Sequence, residues 1–296
     1  MPELPEVEVV RVGLEPAVTG ATVTAVRVFD ERSLRRHNAP AEDFVDRMTG
    51  ATFASPRRRG KFLWVPLAGA GEALVVHLGM SGQVLLREPG AAVDRLTRIS
   101  FDVAHPAHRP LRVDFVDQRI FGSMAIDELV PSGDVAGDSV PSQVSHIARD
   151  PMDASFDDSK FFAKLARRNT GIKRAILDQA LISGIGNIYA DEALWASRIH
   201  YDQPTATLSR PRARTLLAEV RLVLGKALAE GGTSFDAQYL NVNGESGYFS
   251  HSLKAYGQQG EPCPRCGRPI VREQFMNRGS HFCPFCQRVR TGRAAG

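Results

Sequence analysis

The chain has 296 residues, 43% of them hydrophobic and 24% charged, which excludes an intrinsically disordered protein and gives length enough for two domains with separate cores. Its formal net charge of +4 is mild, so a polyanionic partner has to be read from clustering of the basic residues rather than from their total. No apolar run reaches membrane-span length, and the acidic start (Glu3, Glu6, Glu8) is unlike a secretory signal, so a cytoplasmic location without membrane contact is expected.

In chain order, Leu4, Val7, Val10 and Leu14 recur at helical spacing behind Pro5, a good first-turn residue, and predict a helix that Gly13 and Pro16 bring to a close. Short alternating runs follow over 22–28, 51–55, 62–67, 73–77, 83–87, 97–103 and 112–116, separated by turn formers such as Ala68-Gly69-Ala70-Gly71. They predict a β-sandwich or barrel over residues 1–130. The turn-rich stretch from Pro131 predicts an interdomain linker over 131–150. Apolar stripes at Phe161, Phe162 and Leu165, at Ile176, Leu177 and Leu181, at Ala193 to Trp195, and from Leu216 to Leu228 predict four helices in a domain over 151–250. That domain ends in a Gly- and Asn-rich loop containing Asn241, Asn243, Gly244 and Gly247. A cysteine-bearing module over 251–290 and a basic tail over 291–296 complete the chain.

Chemistry-bearing patterns sit at both ends. A proline behind the initiator methionine becomes a free secondary amine once Met1 is removed, and such an amine is partly unprotonated near neutral pH and can attack an electrophilic sugar carbon. Glu3, one peptide bond away, is placed to shuttle protons, with Glu6 a second carboxylate on the same turn. The same residues also read as an ordinary N-terminus with glutamates in a helix's first turn, where the macrodipole favours them. Cys263-Pro-Arg-Cys266 and Cys283-Pro-Phe-Cys286, sixteen residues apart, have the spacing of a four-thiolate structural zinc site, and His281 reads as a strand residue rather than a fifth ligand. The two pairs would staple a hairpin with Asn277-Arg278-Gly279 at its tip. Basic residues cluster at Arg57 to Lys61, at Lys164 to Arg174 and along the C-terminal module, as a polyanion laid across a broad face requires. A solvated surface is the other reading. The turn Gly184-Ile-Gly-Asn187 before a helix suits phosphate binding at a helix N-terminus.

The strings Pro2-Glu3-Leu4-Pro5-Glu6, Arg58-Arg59-Gly60-Lys61, His77-Leu78-Gly79-Met80-Ser81-Gly82, Gly184 to Leu194 and the four-cysteine terminus together resemble the bacterial formamidopyrimidine-DNA glycosylase and endonuclease VIII family, in family order and over nearly the full chain. The resemblance implies an α+β multidomain fold: an N-terminal β-sandwich with flanking helices, a helix-two-turn-helix domain and a zinc finger, with DNA bound in the cleft between the lobes. It implies base excision of oxidised purines through a Pro2 Schiff base, with strand cleavage at the abasic site. Glu3 resembles the acid/base group, and Lys61 the lysine contacting the lesion and a nearby phosphate.

The same resemblance makes Asn187 and Arg278 phosphate clamps, and extends DNA contact to His77 and Tyr189. Met80, Arg119 and Phe121 would fill the gap left by the extruded base, and residues 231–250 would cap the lesion. The implied cofactor is one structural zinc. The implied partner is double-stranded DNA carrying oxidised bases or abasic sites, met by a monomer at the nucleoid. An endonuclease VIII-like enzyme acting on oxidised pyrimidines and a noncatalytic damage-binding protein are the alternatives. Leu4 and the full Met80, Arg119 and Phe121 set favour the purine enzyme, and intact Pro2, Glu3 and Lys61 argue against the noncatalytic one.

Overall fold

The computed structural model describes residues 2–233, 242 and 249–290. The chain divides into two compact units, the first of Met1–His146 with Gly231–Gly247 and the second of Ile147–Glu230 with Tyr248–Gly296. Asn241, Asn243, Gly244 and Gly247 of the expected capping loop, and the tail over 291–296, lie outside the described residues.

The first unit runs α1 (Leu4–Val18), β1 (Thr22–Val28), α2 (Ala41–Met48), β2 (Arg57–Arg59), β3 (Phe62–Leu67), β4 (Glu72–His77), β5 (Gly82–Arg87), β6 (Thr97–Ala104), β7 (Leu111–Asp117), β8 (Ser123–Pro131) and β9 (Ser139–Pro141). These strands form two antiparallel sheets, ordered β1-β6-β7-β5 and β2-β3-β4-β8-β9. Alternate residues of facing strands, among them Leu63, Val65, Leu74, Val76, Ile99, Phe101, Val113 and Phe115, bury into one core. Each such side chain stabilises the sandwich by roughly 1.5–3 kcal/mol. Helix α1 adds Val7, Val10 and Leu14 to that core, and α2 adds Phe44 and Met48, both with no exposed surface.

Three local readings differ from expectation. Helix α1 continues through Pro16 to Val18. Proline there removes only the bond to the carbonyl of Val12, which lies on the solvent side at 52% exposure, and Thr19 closes the end by donating its N–H and hydroxyl to the Glu15 carbonyl. The 51–55 run forms only isolated bridges, Thr52 to Thr22 and Phe53 to Leu67. Within the stretch expected as a linker, Pro131 ends β8 and 139–141 form β9, paired Leu129 to Pro141 and Val130 to Val140, so its turn residues close a hairpin of the five-stranded sheet.

The second unit contains α3 (Asp158–Ala166), α4 (Ile172–Ile176), α5 (Asn187–Ala196), α6 (Arg210–Ala229) and the hairpin β10 (Val271–Phe275) and β11 (Arg278–Phe282). Asp157 caps α3 by accepting from the Lys160 N–H at 2.9 Å. The stripe Ala213, Leu216, Leu217, Val220, Leu224 and Ala227 buries one face of α6. Phe275 pairs with Arg278, so the hairpin tip is Met276-Asn277 and Arg278 begins the returning strand. No helix among the described residues is long and apolar enough to cross a membrane.

Gly13, expected to end α1, lies inside it and admits a close neighbour. A Cβ there would overlap the Val242 Cγ2 methyl, and Val242, 1% exposed, also accepts from the Leu86 N–H through its carbonyl at 3.0 Å. Gly13→Ala is expected to destabilise the first unit by about 1–3 kcal/mol in urea unfolding, the cost of overpacking, and adding Val242→Ala should recover most of the loss. Strict additivity of the two substitutions would refute direct packing.

Candidate active site

At the head of α1, Pro2 and Glu3 are both buried. Glu3 is the N-cap, and its backbone N–H donates to Glu6 Oε2 at 2.8 Å, while its carboxylate accepts from the Glu6 N–H to complete a capping box. Glu6 Oε1 accepts from the Thr233 N–H at 2.8 Å and the Thr233 hydroxyl at 2.9 Å. Both oxygens of Glu6 are therefore engaged in holding backbone. Nothing in the sequence around Thr233 marked it as a partner for the N-terminus.

The Arg57-Arg58-Arg59-Gly60-Lys61 cluster is largely turned inward. Arg58 donates to Glu8 at 2.7 Å and to the Gly60 carbonyl at 2.9 Å, and Arg59, only 4% exposed, meets Asp138 at 3.3 Å and Asp134 at 3.8 Å. Glu8 is half-buried. Burial alone would raise its pKa, but the hydrogen bonds from Arg11 and Arg58 outweigh that and hold it below the usual carboxylate range. These pairings fix the β2–β3 turn that carries Lys61. The next residue, Phe62, lies opposite His77 in the ladder, with the two rings 4.9 Å apart. Burial, then the charges of Arg36, Arg35 and Lys61, push the His77 imidazole down to about 4, so it is neutral at pH 7. Its Nδ1 is buried and has no hydrogen-bond partner among the described residues.

Met80 and the Arg119–Phe121 turn meet through backbone. Gly79, at φ +64°, packs so closely that a Cβ would overlap the carbonyl of Phe121. Asp117, fully buried, accepts from the Arg119 N–H at 3.1 Å, the Gly122 N–H at 2.6 Å and the Ser81 hydroxyl at 2.5 Å. The turn thus presents Phe121 at 45% exposure and Met80 at 42%, with the Arg119 guanidinium 4.8 Å over the Phe121 ring. Exposed apolar side chains on a fixed turn are suited to stacking against a flat apolar surface.

In the second unit, Asn187 opens α5 and donates its side-chain N–H to the Gly279 carbonyl at 3.1 Å, which puts it beside Arg278. Its Oδ1 has no partner among the described residues. Lys173, from the second basic cluster, is fully buried: it pairs with Asp191 at 2.6 Å and reaches the Gly279 carbonyl at 3.3 Å. Asp191 also accepts from the Ser280 hydroxyl at 3.0 Å and the His281 N–H at 2.9 Å, so α5 and β11 are joined by one carboxylate. His281 is a strand residue turned to Asp191. Tyr189 is 1% exposed and packs on Phe249 with ring centres 5.7 Å apart, inside the unit.

The four cysteine sulfurs lie within 4.8 Å of one another, compatible with a tetrahedron of Zn–S bonds near 2.3 Å. Burial first, then hydrogen bonding and charge among the neighbouring thiols, pushes Cys286 up to about 12. A divalent cation reverses that penalty by deprotonating the thiols it binds, so the donor set fits a zinc ion closed to further ligands. The four residues hold this ion structurally.

Residues 1–124 match the model of the formamidopyrimidine-DNA glycosylase N-terminal domain, 147–238 the formamidopyrimidine-DNA glycosylase H2TH domain, and 260–289 a zinc finger found in FPG and IleRS. A formamidopyrimidine-DNA glycosylase from Leifsonia xyli subsp. xyli is 65% identical over 297 residues, covering 98% of this chain and 100% of the relative. One from Thermobifida fusca is 55% identical over 299 residues, covering 99% and 100%. Lactococcus lactis Fpg in complex with an abasic site containing DNA superposes with a TM-score of 0.81 at 29% identity, over 97% of this chain and 99% of that one. The wild-type Lactococcus lactis protein with an N7-benzyl-Fapy-dG containing DNA gives 0.82 at 30% identity, over the same shares.

Two outcomes follow from this geometry. Because His77 is neutral in the fold but protonates below pH 6.5 once unfolded, its contribution is complete above pH 6.5 and falls away as pH drops towards 4. Relative to pH 7, wild type should lose about 2 kcal/mol more by pH 5 than His77→Gln in urea titrations. Parallel losses in the two proteins would contradict a buried neutral ring. Cys283→Ser should release zinc, measured by metal analysis, and abolish DNA affinity while the first unit still unfolds cooperatively; full affinity in metal-free protein would refute the structural role.

Proposed function

The chain belongs to the formamidopyrimidine-DNA glycosylase family, and on that premise we propose that it excises oxidised purines, 8-oxoguanine opposite cytosine and formamidopyrimidines, from duplex DNA and then cleaves the abasic strand. The observation that carries this reading is the head of α1, where Pro2 and Glu3 are held together by a cap whose second carboxylate is anchored at Thr233. A nucleophile and an acid/base group need that kind of fixed relation.

Freed of Met1, Pro2 attacks C1′ of the damaged nucleotide as a secondary amine. The N–C1′ bond forms as the glycosidic electron pair leaves with the base, which takes up the proton lost from the Pro2 nitrogen, and the sugar ring then opens to the iminium as its O4′ takes a proton from Glu3. The iminium acidifies the C2′ proton. Its removal expels the 3′ phosphate, a second elimination expels the 5′ phosphate, and water hydrolyses the remaining Schiff base to release Pro2. Glu6 keeps the nucleophile's turn in place rather than moving protons, because its oxygens are already engaged. Lys61 supports the lesion and a nearby phosphate, with the neutral His77 ring on the neighbouring strand lining the same DNA contact.

Extruding a base costs roughly a few kcal/mol, and Met80 and Phe121 replace the lost stacking while Arg119 offers donors to the orphaned cytosine. Arg278 clamps a backbone phosphate on the second unit, with Asn187 beside it at the N-terminus of α5 through the Gly279 carbonyl, and the zinc ion stiffens the hairpin. Tyr189 supports the clamp from within the core. The protein works as a cytoplasmic monomer at the nucleoid.

Borohydride trapping on a duplex carrying 8-oxoguanine opposite cytosine should give a covalent adduct with protein that begins at Pro2. Pro2→Gly should keep part of the trapping through its primary amine, and a blocked N-terminus should give none. Undiminished trapping by protein shown by mass spectrometry to retain Met1 would exclude Pro2 and turn attention to Lys61.

A further inference from the structure

The turn that carries Arg119 and Phe121 is held on its N–H side by Asp117, and on its carbonyl side by a residue that no motif contains. Arg35 donates from one guanidinium to three successive carbonyls: Nη1 to Ile120 at 3.2 Å and to Gly122 at 2.6 Å, and Nη2 to Phe121. Ile120, at the centre of the turn, has φ +55°, a left-handed conformation that a β-branched residue rarely adopts. A turn in that conformation persists only where its surroundings hold it. The fixed fork of an arginine matches several carbonyls at once, as a single ammonium point charge does not.

The arginine itself is well anchored. It follows a 3-10 turn over Glu31–Leu34, in which Ser33 and Leu34 are 0% and 5% exposed, and the neighbouring His37 meets Asp43 at 3.0 Å. Arg35 is itself exposed but sits between buried Leu34 and buried His37, and its guanidinium reaches a turn some 85 residues away in sequence.

We propose that Arg35 is a positioning residue for the void-filling turn, fixing the carbonyl side of Ile120–Gly122 so that Arg119 and Phe121 enter the base stack already shaped. The proposal rests on the reading that these side chains fill the gap left by the extruded base. A preshaped wedge loses less freedom on insertion, so the benefit should be seen only where there is a stack to enter.

The test compares wild type, Arg35→Ala, Arg35→Lys and Arg119→Ala by borohydride trapping on an abasic site opposite cytosine, opposite adenine, and in a single-stranded oligonucleotide. Arg35→Ala should lose about tenfold in duplex trapping rate while staying within about twofold on single-stranded DNA, and its preference for cytosine should fall towards that of Arg119→Ala. Arg35→Lys keeps the charge near His77 but not the fork, and should restore less than half of the loss. Arg35→Gln carries the same expectation as the alanine variant if that one melts at a lower temperature.

Equal loss on duplex and single strand, no loss at all, or full rescue by lysine would each overturn the proposal. A wild type that traps on neither substrate overturns the catalytic reading itself. An Arg119→Ala protein with full preference for cytosine overturns the wedge reading while leaving Pro2 chemistry standing.

Discussion

The buried carboxylate of Glu6 is the constraint that ties the head of α1 to the segment at Thr233. Removing an ionised carboxylate from water is costly unless donors replace the lost hydration, and here three do so: the Glu3 N–H, the Thr233 N–H and the Thr233 hydroxyl. Two of those donors are backbone groups at the ends of separate segments, so satisfying one side chain fixes both. The first turn of α1 supplies further support, because its unpaired amides and dipole favour negative charge at that end. Residues at a chain terminus are ordinarily among the least ordered in a protein. Here the helix cap gives Glu3, and Pro2 beside it, a defined place.

Charge is spent sparingly in both units. Of the arginine run before Lys61, Arg58 and Arg59 are paired with Glu8, Asp134 and Asp138. Lys173 is sunk against Asp191. A sequence count of basic residues therefore overstates the field offered to a polyanion, and what reaches the surface is a smaller set of cations, each set by neighbours. Buried pairs of this kind add little net stability over apolar packing, but they fix orientation, since each remaining donor or acceptor has one satisfactory direction. That is what joins α5 to β11 through Asp191 and what aligns the turn bearing Lys61.

Much of this was legible in the chain, for identifiable reasons. The strands at 22–28 and 62–67 were read to the residue because each is a short run rich in β-branched and apolar side chains bounded by turn formers, although β3 proves buried on both faces rather than alternating. The cysteine spacing and the head of α1 were legible because their chemistry is local. Helix α2 escaped notice because eight residues with two buried side chains, Phe44 and Met48, make too short a stripe to stand out. The hairpin at β8 and β9 was hidden by its own turn residues, Ser132 to Asp138, which look alike in a linker and in a loop. Gly13 read as a helix breaker because a close approach by a residue as distant as Val242 leaves no trace in nearby sequence. The long-range partners Thr233 and Asp191 were invisible for the same reason.

The first unit is discontinuous, and the separation between Glu6 and Thr233, 227 residues, sets an order of events during synthesis. At ribosomal speeds of about 5–20 residues per second, the N-terminal turn waits roughly ten to forty-five seconds for the segment that completes it. Through that interval the sandwich strands can pair, but the anchor of the N-terminal carboxylate is missing and the second unit is being made. The head of α1 therefore takes its final place only after Thr233 has been made. A fragment from translation interrupted before that residue lacks the second anchor of Glu6, a dependence that follows from chain topology alone.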